Sequence, residues 1–131
     1  MSVRLRLQIA VALGGLVPVG AGLAGVLIGP HLAGDYAASV PLDSHFRYLS
    51  GLLLAIGLGF WSTIPAIERQ SARFGLLTGI VVVGGLGRLV SLFTQGVPDA
   101  PMLFGLTMEL AVTPALALWQ RRLARAAVTA M

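Results

Sequence analysis

The sequence predicts an all-α integral membrane protein, a bundle of four transmembrane helices in up-down order with both termini cytoplasmic. Three observations predict it. The chain is 56% hydrophobic and 11% charged, with a mean hydropathy of +0.89, far outside the range of soluble domains. Apolar runs of near-spanning length fill most of the 131 residues, so residues 1–131 read as a single transmembrane domain with no soluble domain beside it. The nine basic residues, all arginine, flank those runs unevenly. In a chain this apolar, a net charge of +4 reports membrane orientation rather than nucleic-acid binding. The absence of cysteine excludes disulfides, thiolate metal sites and thiol catalysis.

The first helix is expected over about residues 7–29, an apolar run broken only by Gln8 and bent by Pro18. Ala21, Gly25 and Gly29 recur every four residues, a stripe suited to close approach of another helix, whether a second copy or a membrane partner. Residues 30–43 form the first loop, broken by Gly34, Asp35 and Pro41. Asp43 or Ser44 would cap a second helix over about 44–66. Ser44, Tyr48, Gly51, Ala55, Gly59 and Ser62 fall on one of its faces, expected to turn inward. Glu68, Arg69 and Arg73 mark a charged turn. A third helix over about 74–95 carries Gly75 and Gly79 as a GxxxG pair. A fourth, over about 102–119, contains Glu109 and then Pro114.

Up-down order puts Arg4, Arg6, Arg69, Arg73, Arg121, Arg122 and Arg125 on one side. Asp35, Asp43 and Asp99 lie on the other with Arg47 alone. The excess of arginine makes the first side cytoplasmic and the expected location the cell inner (plasma) membrane, crossed several times.

One arginine breaks the apolar pattern of the third helix. Arg88, Ser91 and Gln95 share a helical face. A cation there costs at least ~2.5–3.5 kcal/mol unless something in the protein receives it. Glu109 lies at matching depth on the next antiparallel helix and is the simplest receiver, both groups roughly 10 Å below the outer surface. Asp43, His45, Arg47 and Tyr48 enter from the same side. His45, two residues past the expected cap, meets the positive end of a helix, which disfavours imidazolium and leaves a candidate base. The ligand-binding candidates are therefore Asp43, His45, Arg47, Tyr48, Arg88, Ser91 and Glu109, with His45 and Glu109 as catalytic candidates. His31, His45, Asp35 and Asp43 lack a recognised metal-ligand spacing, and no cofactor is implied. The run Gly84-Gly85-Leu86-Gly87 lies within a helix and is no phosphate cradle.

Asp43-Ser44-His45-Phe46-Arg47-Tyr48-Leu49-Ser50-Gly51, Gly84 to Leu92, and Met108-Glu109-Leu110 with Trp119-Gln120-Arg121-Arg122 resemble a bacterial family. It is a family of small four-helix membrane proteins known only as a domain of unknown function. The resemblance spans about residues 20–122, the first helix matching only in character. It implies a four-helix membrane protein with Asp43, His45, Arg47, Arg88 and Glu109 in one site, and it supplies no activity.

Three functions fit these residues. An outward-opening polar pocket would bind or act on a lipid-like or small apolar molecule, the arginines holding its head and His45 or Glu109 moving protons. A structural or accessory subunit would use Arg88–Glu109 only to pair helices. A small proton-coupled transporter would act as a dimer. Membrane lipids are expected partners of all three, and nucleic acid of none.

Overall fold

The computed structural model describes residues 1–34 and 37–129; Asp35, expected in the first loop, lies outside them. The described chain is all-α. Helix α1 spans Val3–Ile28 and runs on into a 3₁₀ turn, Gly29–Ala33. Helix α2 spans Val40–Trp61, a 3₁₀ segment spans Ile64–Arg69, and α3 spans Ser71–Gln95. Helices α4 (Ala100–Thr107) and α5 (Thr113–Thr129) are joined through a π-helical turn, Met108–Val112.

Several boundaries differ from the sequence expectation, each for a local reason. Helix α1 starts a turn earlier, because the Ser2 hydroxyl accepts from the Leu5 amide at 3.2 Å and satisfies an end donor. Helix α2 is capped by Ser39, whose side chain accepts from Leu42, and neither Asp43 nor Ser44 is the cap. Pro41 does not break this helix. It lies in the first turn, where its missing N–H would have had no partner. The helix ends at Trp61 rather than Ala66. The residue before Pro65 is disfavoured in the α region, and Ala66 leaves helical geometry at φ −133°, ψ 48°. Asp99 caps α4 through the Met102 amide. Helix α5 continues ten residues past Trp119, through Ala, Leu and Arg, which are strong helix formers.

Three helical stretches are long and apolar enough to cross a membrane: Val3–Ala33, Ser71–Gln95 and Ala100–Thr129. The chain is by this measure a membrane protein. Helix α2, at 22 residues, is not among them, since Asp43, His45 and Arg47 occupy its opening turns. Many large apolar side chains face outward, among them Phe93 at 82% exposed and Leu27 at 69%. Such a surface suits hydrocarbon and not water.

The chain divides into two units, Ile9–Ile64 and Met1–Gln8 with Pro65–Met131. In the first, glycines let α1 and α2 touch. A methyl group at Gly22 would lie 2.5 Å from the Leu54 backbone nitrogen, and one at Gly25 would run into the Ser50 side chain. Gly57 returns the favour from α2, lying against Pro18 and Val19. The Trp61 indole N–H donates to Ala12 O at 3.1 Å. The stripe on α1 is therefore Gly15, Gly22, Gly25 and Gly29, all buried, while Ala21 is exposed. On α2 the packed face carries Ser50, Gly57 and Phe60; Ser44, Tyr48, Ala55 and Ser62, expected inside, are exposed. The packed face is still mostly small, but it centres on Ser50 and Gly57 and not on the expected stripe.

In the second unit, Leu7, Ile67, Phe74, Ala117 and Gln120 are buried. The Gln120 amide donates to Ile67 O at 2.7 Å and Ser71 Oγ at 3.0 Å, tying α5 to the entry of α3. The expected GxxxG pair does not pack as one, because nothing lies within 4 Å of a methyl at Gly79.

Candidate functional site

Each unit contains one arginine–carboxylate pair from the predicted site, and the two pairs are built differently. On α2, Arg47 and Asp43 are one turn apart and meet twice, Nε to Oδ2 at 2.9 Å and Nη2 to Oδ1 at 3.2 Å. Arg47 Nη1 also donates to Val26 O at 2.6 Å and Leu27 O at 3.2 Å. Those carbonyls belong to the last turn of α1, which leaves acceptors without helical partners and carries the negative end of the dipole. The guanidinium thus caps α1. Gly29 makes room for it, with φ at +74° and a position where a methyl would lie 2.6 Å from Arg47 Nη2. A side chain there would be both strained and in collision.

His45 and Tyr48 stand beside this pair on α2, exposed, with ring centroids 6.5 Å apart. His45 lies six residues past Ser39 and not two past a cap, beyond the first turn where a helix end acts on charge. The dipole reason for treating it as a base is withdrawn.

In the second unit, Arg88 on α3 donates from Nε to Glu109 Oε1 at 2.9 Å and from Nη1 to Met102 Sδ at 3.0 Å. The expected pairing of Arg88 with Glu109 is present. Gly85 allows the helices to approach, whereas a methyl at Gly105 would make only an ordinary contact. A methyl at Gly85 would lie 2.7 Å from Leu110 Cδ2 and 3.0 Å from Glu109 Cβ, and Gly105 lies 3.9 Å, by the same measure, from Arg88 Cζ. The pair is monodentate. Glu109 Oε2 is buried and accepts no hydrogen bond among the described residues. The Glu109 side chain is 16% exposed and that of Arg88 39%, so the carboxylate is the enclosed partner. Ser91 lies exposed on α3, one turn from Arg88.

Glu109 occupies the second position of the π turn. There the Thr113 amide reaches back to Met108 O, which also accepts from Thr113 Oγ1 at 2.8 Å. The wider turn precedes Pro114, whose ring would crowd the carbonyl four residues back in a regular helix. Sequence reasoning found Glu109 and Pro114 separately and missed that the turn connects them; a proline within an apolar helical run, five residues after a carboxylate, is the signal that was available. It also missed Met102, Gly85 and Gly105, which are ordinary apolar or small residues until the helices are placed.

Among the described residues no three His, Asp or Glu side chains are grouped so as to hold a metal ion. Chemically, the Arg88–Glu109 centre offers a cationic donor fork, a soft sulfur and an acceptor oxygen with no donor of its own.

Neither a curated protein nor a solved structure matches the chain. A family model, described as a domain of unknown function (DUF4345), matches residues 6–120. This span covers α1 to α3 with both arginine–carboxylate pairs and reaches the buried Gln120, and the chain belongs to the DUF4345 family.

Proposed function

We propose that this chain is a multi-pass protein of the bacterial inner membrane, with α1, α2, α3 and the α4–α5 rod as four spanning helices and both termini cytoplasmic. Its Arg88–Glu109 centre binds the polar head of a lipid-like or small apolar molecule. The observation that carries this reading is the incompleteness of the pair. Asp43 and Arg47, on one helix, close on each other through two contacts. Glu68, which Arg4 engages, also keeps a buried oxygen without a hydrogen bond among the described residues. What sets Glu109 apart is its place beside Arg88 and Met102 within an apolar helix pair. Glu109 Oε2 accepts no hydrogen bond among the described residues, and a buried oxygen left so is unfavourable. A ligand head that both donates and accepts, such as a hydroxyl or amide, would complete it: its donor meets Oε2 and its acceptor meets the guanidinium. Glu109 is also the group at this centre able to take a proton, should the bound molecule react. Asp43 and Arg47 leave the binding set and act on α1 instead.

Native mass spectrometry of the detergent-solubilised protein tests the reading. The wild type should carry a small apolar adduct, and Arg88→Leu and Glu109→Gln should lose it while keeping the helical circular dichroism. An adduct equally occupied in all three would remove the proposal. A stoichiometric protein partner would support the accessory-subunit reading.

A further inference from the structure

The second unit gathers the arginines of the chain at one end, and their arrangement points to a ligand different from that of Arg88. Arg4 pairs with Glu68 at 3.1 Å and donates to Pro65 O at 2.8 Å, which fixes the start of α1 beside the 3₁₀ segment. Gln120 is bonded to Ile67 O and Ser71 Oγ, which sets α5 against the same segment and the first turn of α3. Arg121 Nη2 lies 3.7 Å from where a methyl on Gly75 would be. Arg69, Arg73, Arg121, Arg122 and Arg125 are consequently displayed around one helix junction, all exposed. Glu68 is the single carboxylate among the described residues of these segments, and Arg4 already engages it.

Arg121 and Arg125 are one turn apart on one face of α5, so both can approach one anion. The cluster is bordered by outward apolar side chains, Leu76 at 66% and Leu118 at 58% exposed, so it lies where acyl chains give way to headgroups. Every cation in it is an arginine, whose planar fork suits phosphate bidentately.

We infer that this junction, formed by Arg69, Arg73, Arg121, Arg122 and Arg125, is a binding site for an anionic phospholipid headgroup, best filled by one bearing two phosphates. Five exposed arginines offer more donor forks than one phosphate can engage, which favours two phosphates. The site is separate from the Arg88–Glu109 centre, and it rests on the membrane reading of the chain but not on any ligand at that centre.

Titration of the detergent-solubilised full chain with diphosphatidylglycerol, phosphatidylglycerol and phosphatidylcholine, followed by native mass spectrometry, tests it. Tightest binding of diphosphatidylglycerol is expected, weakened by added salt, with phosphatidylcholine weakest. An arginine near an anionic surface is worth roughly a fivefold change in binding. The variant Arg69→Gln/Arg73→Gln/Arg121→Gln/Arg125→Gln should therefore lose affinity by two orders of magnitude or more, and Gly20→Ala, with nothing within 4 Å of the added methyl, should not. If the fourfold variant does not fold, Arg121→Gln/Arg125→Gln should still lower affinity by more than tenfold. Equal binding of phosphatidylcholine and diphosphatidylglycerol by the wild type would overturn the inference, whatever the variants do. So would unchanged affinity in a folded variant. A lost adduct in Arg88→Leu with diphosphatidylglycerol binding intact bears on the Arg88 centre alone.

Discussion

Arg47 and Arg88 are the same residue type set in apolar helices, and their surroundings give them different work. Arg47 spends its fork on a carboxylate of its own helix and on two carbonyls that end α1. Arg88 reaches one oxygen of Glu109 and one sulfur. The pairing of Arg88 with Glu109 was legible from depth alone, since two opposite charges at one level of adjacent helices have few other partners. The role of Arg47 was not, because α1 ends in carbonyls that any sequence would present. The Arg88–Glu109 coupling predicts a non-additive double-mutant cycle. Removing Arg88 leaves the enclosed Glu109 unpaired, costing ~3 kcal/mol, the low end for a buried pair, and removing Glu109 costs less because Arg88 is partly exposed. Arg88→Leu/Glu109→Leu should be more stable than Glu109→Leu or Arg88→Leu alone, measured by unfolding in detergent. Strictly additive losses would mean that the contact carries no coupling.

At the scale of elements, glycine decides which faces meet, and it does so position by position. The methyl of Gly22→Ala would meet backbone of Leu54, which cannot rotate aside, so α1 and α2 must part at a cost of ~1–3 kcal/mol. Gly20→Ala, with nothing within 4 Å, should instead gain up to about 1 kcal/mol of helix propensity. Thermal unfolding of the two variants separates them, and equal shifts would show that the glycine ridge does not set the packing. Periodicity in the sequence identified α1 to α3 as helices because long apolar runs leave little alternative. It could not choose among seventeen glycines, since a glycine that receives a neighbour and one that faces lipid look identical in the chain. The π turn was hidden for a similar reason: hydropathy is indifferent to whether a turn holds one residue more.

For the whole molecule, the arginines that flank the apolar runs predict an orientation. A reporter fused after Thr129 should lie in the cytoplasm and one inserted at Val97 outside. The opposite pattern would overturn the assignment. The α4–α5 rod, 30 residues from Ala100 to Thr129, is about 45 Å long against a hydrocarbon core of about 30 Å. The excess length predicts that its arginine-bearing end lies beyond the core, since charge is costly within it. The division of the chain has a consequence for how the protein is made. Ile9–Ile64 is contiguous and is complete once residue 64 has left the ribosome, but Met1–Gln8 packs with the segment that begins at Pro65. Met1–Gln8 must wait for residues 65–68, which at ordinary elongation rates follow residue 64 within about a second. Arg4 can meet Pro65 O and Glu68 only after the whole of Ile9–Ile64 has been made, so the unit that lies between them in sequence is complete before Met1–Gln8 has its partners.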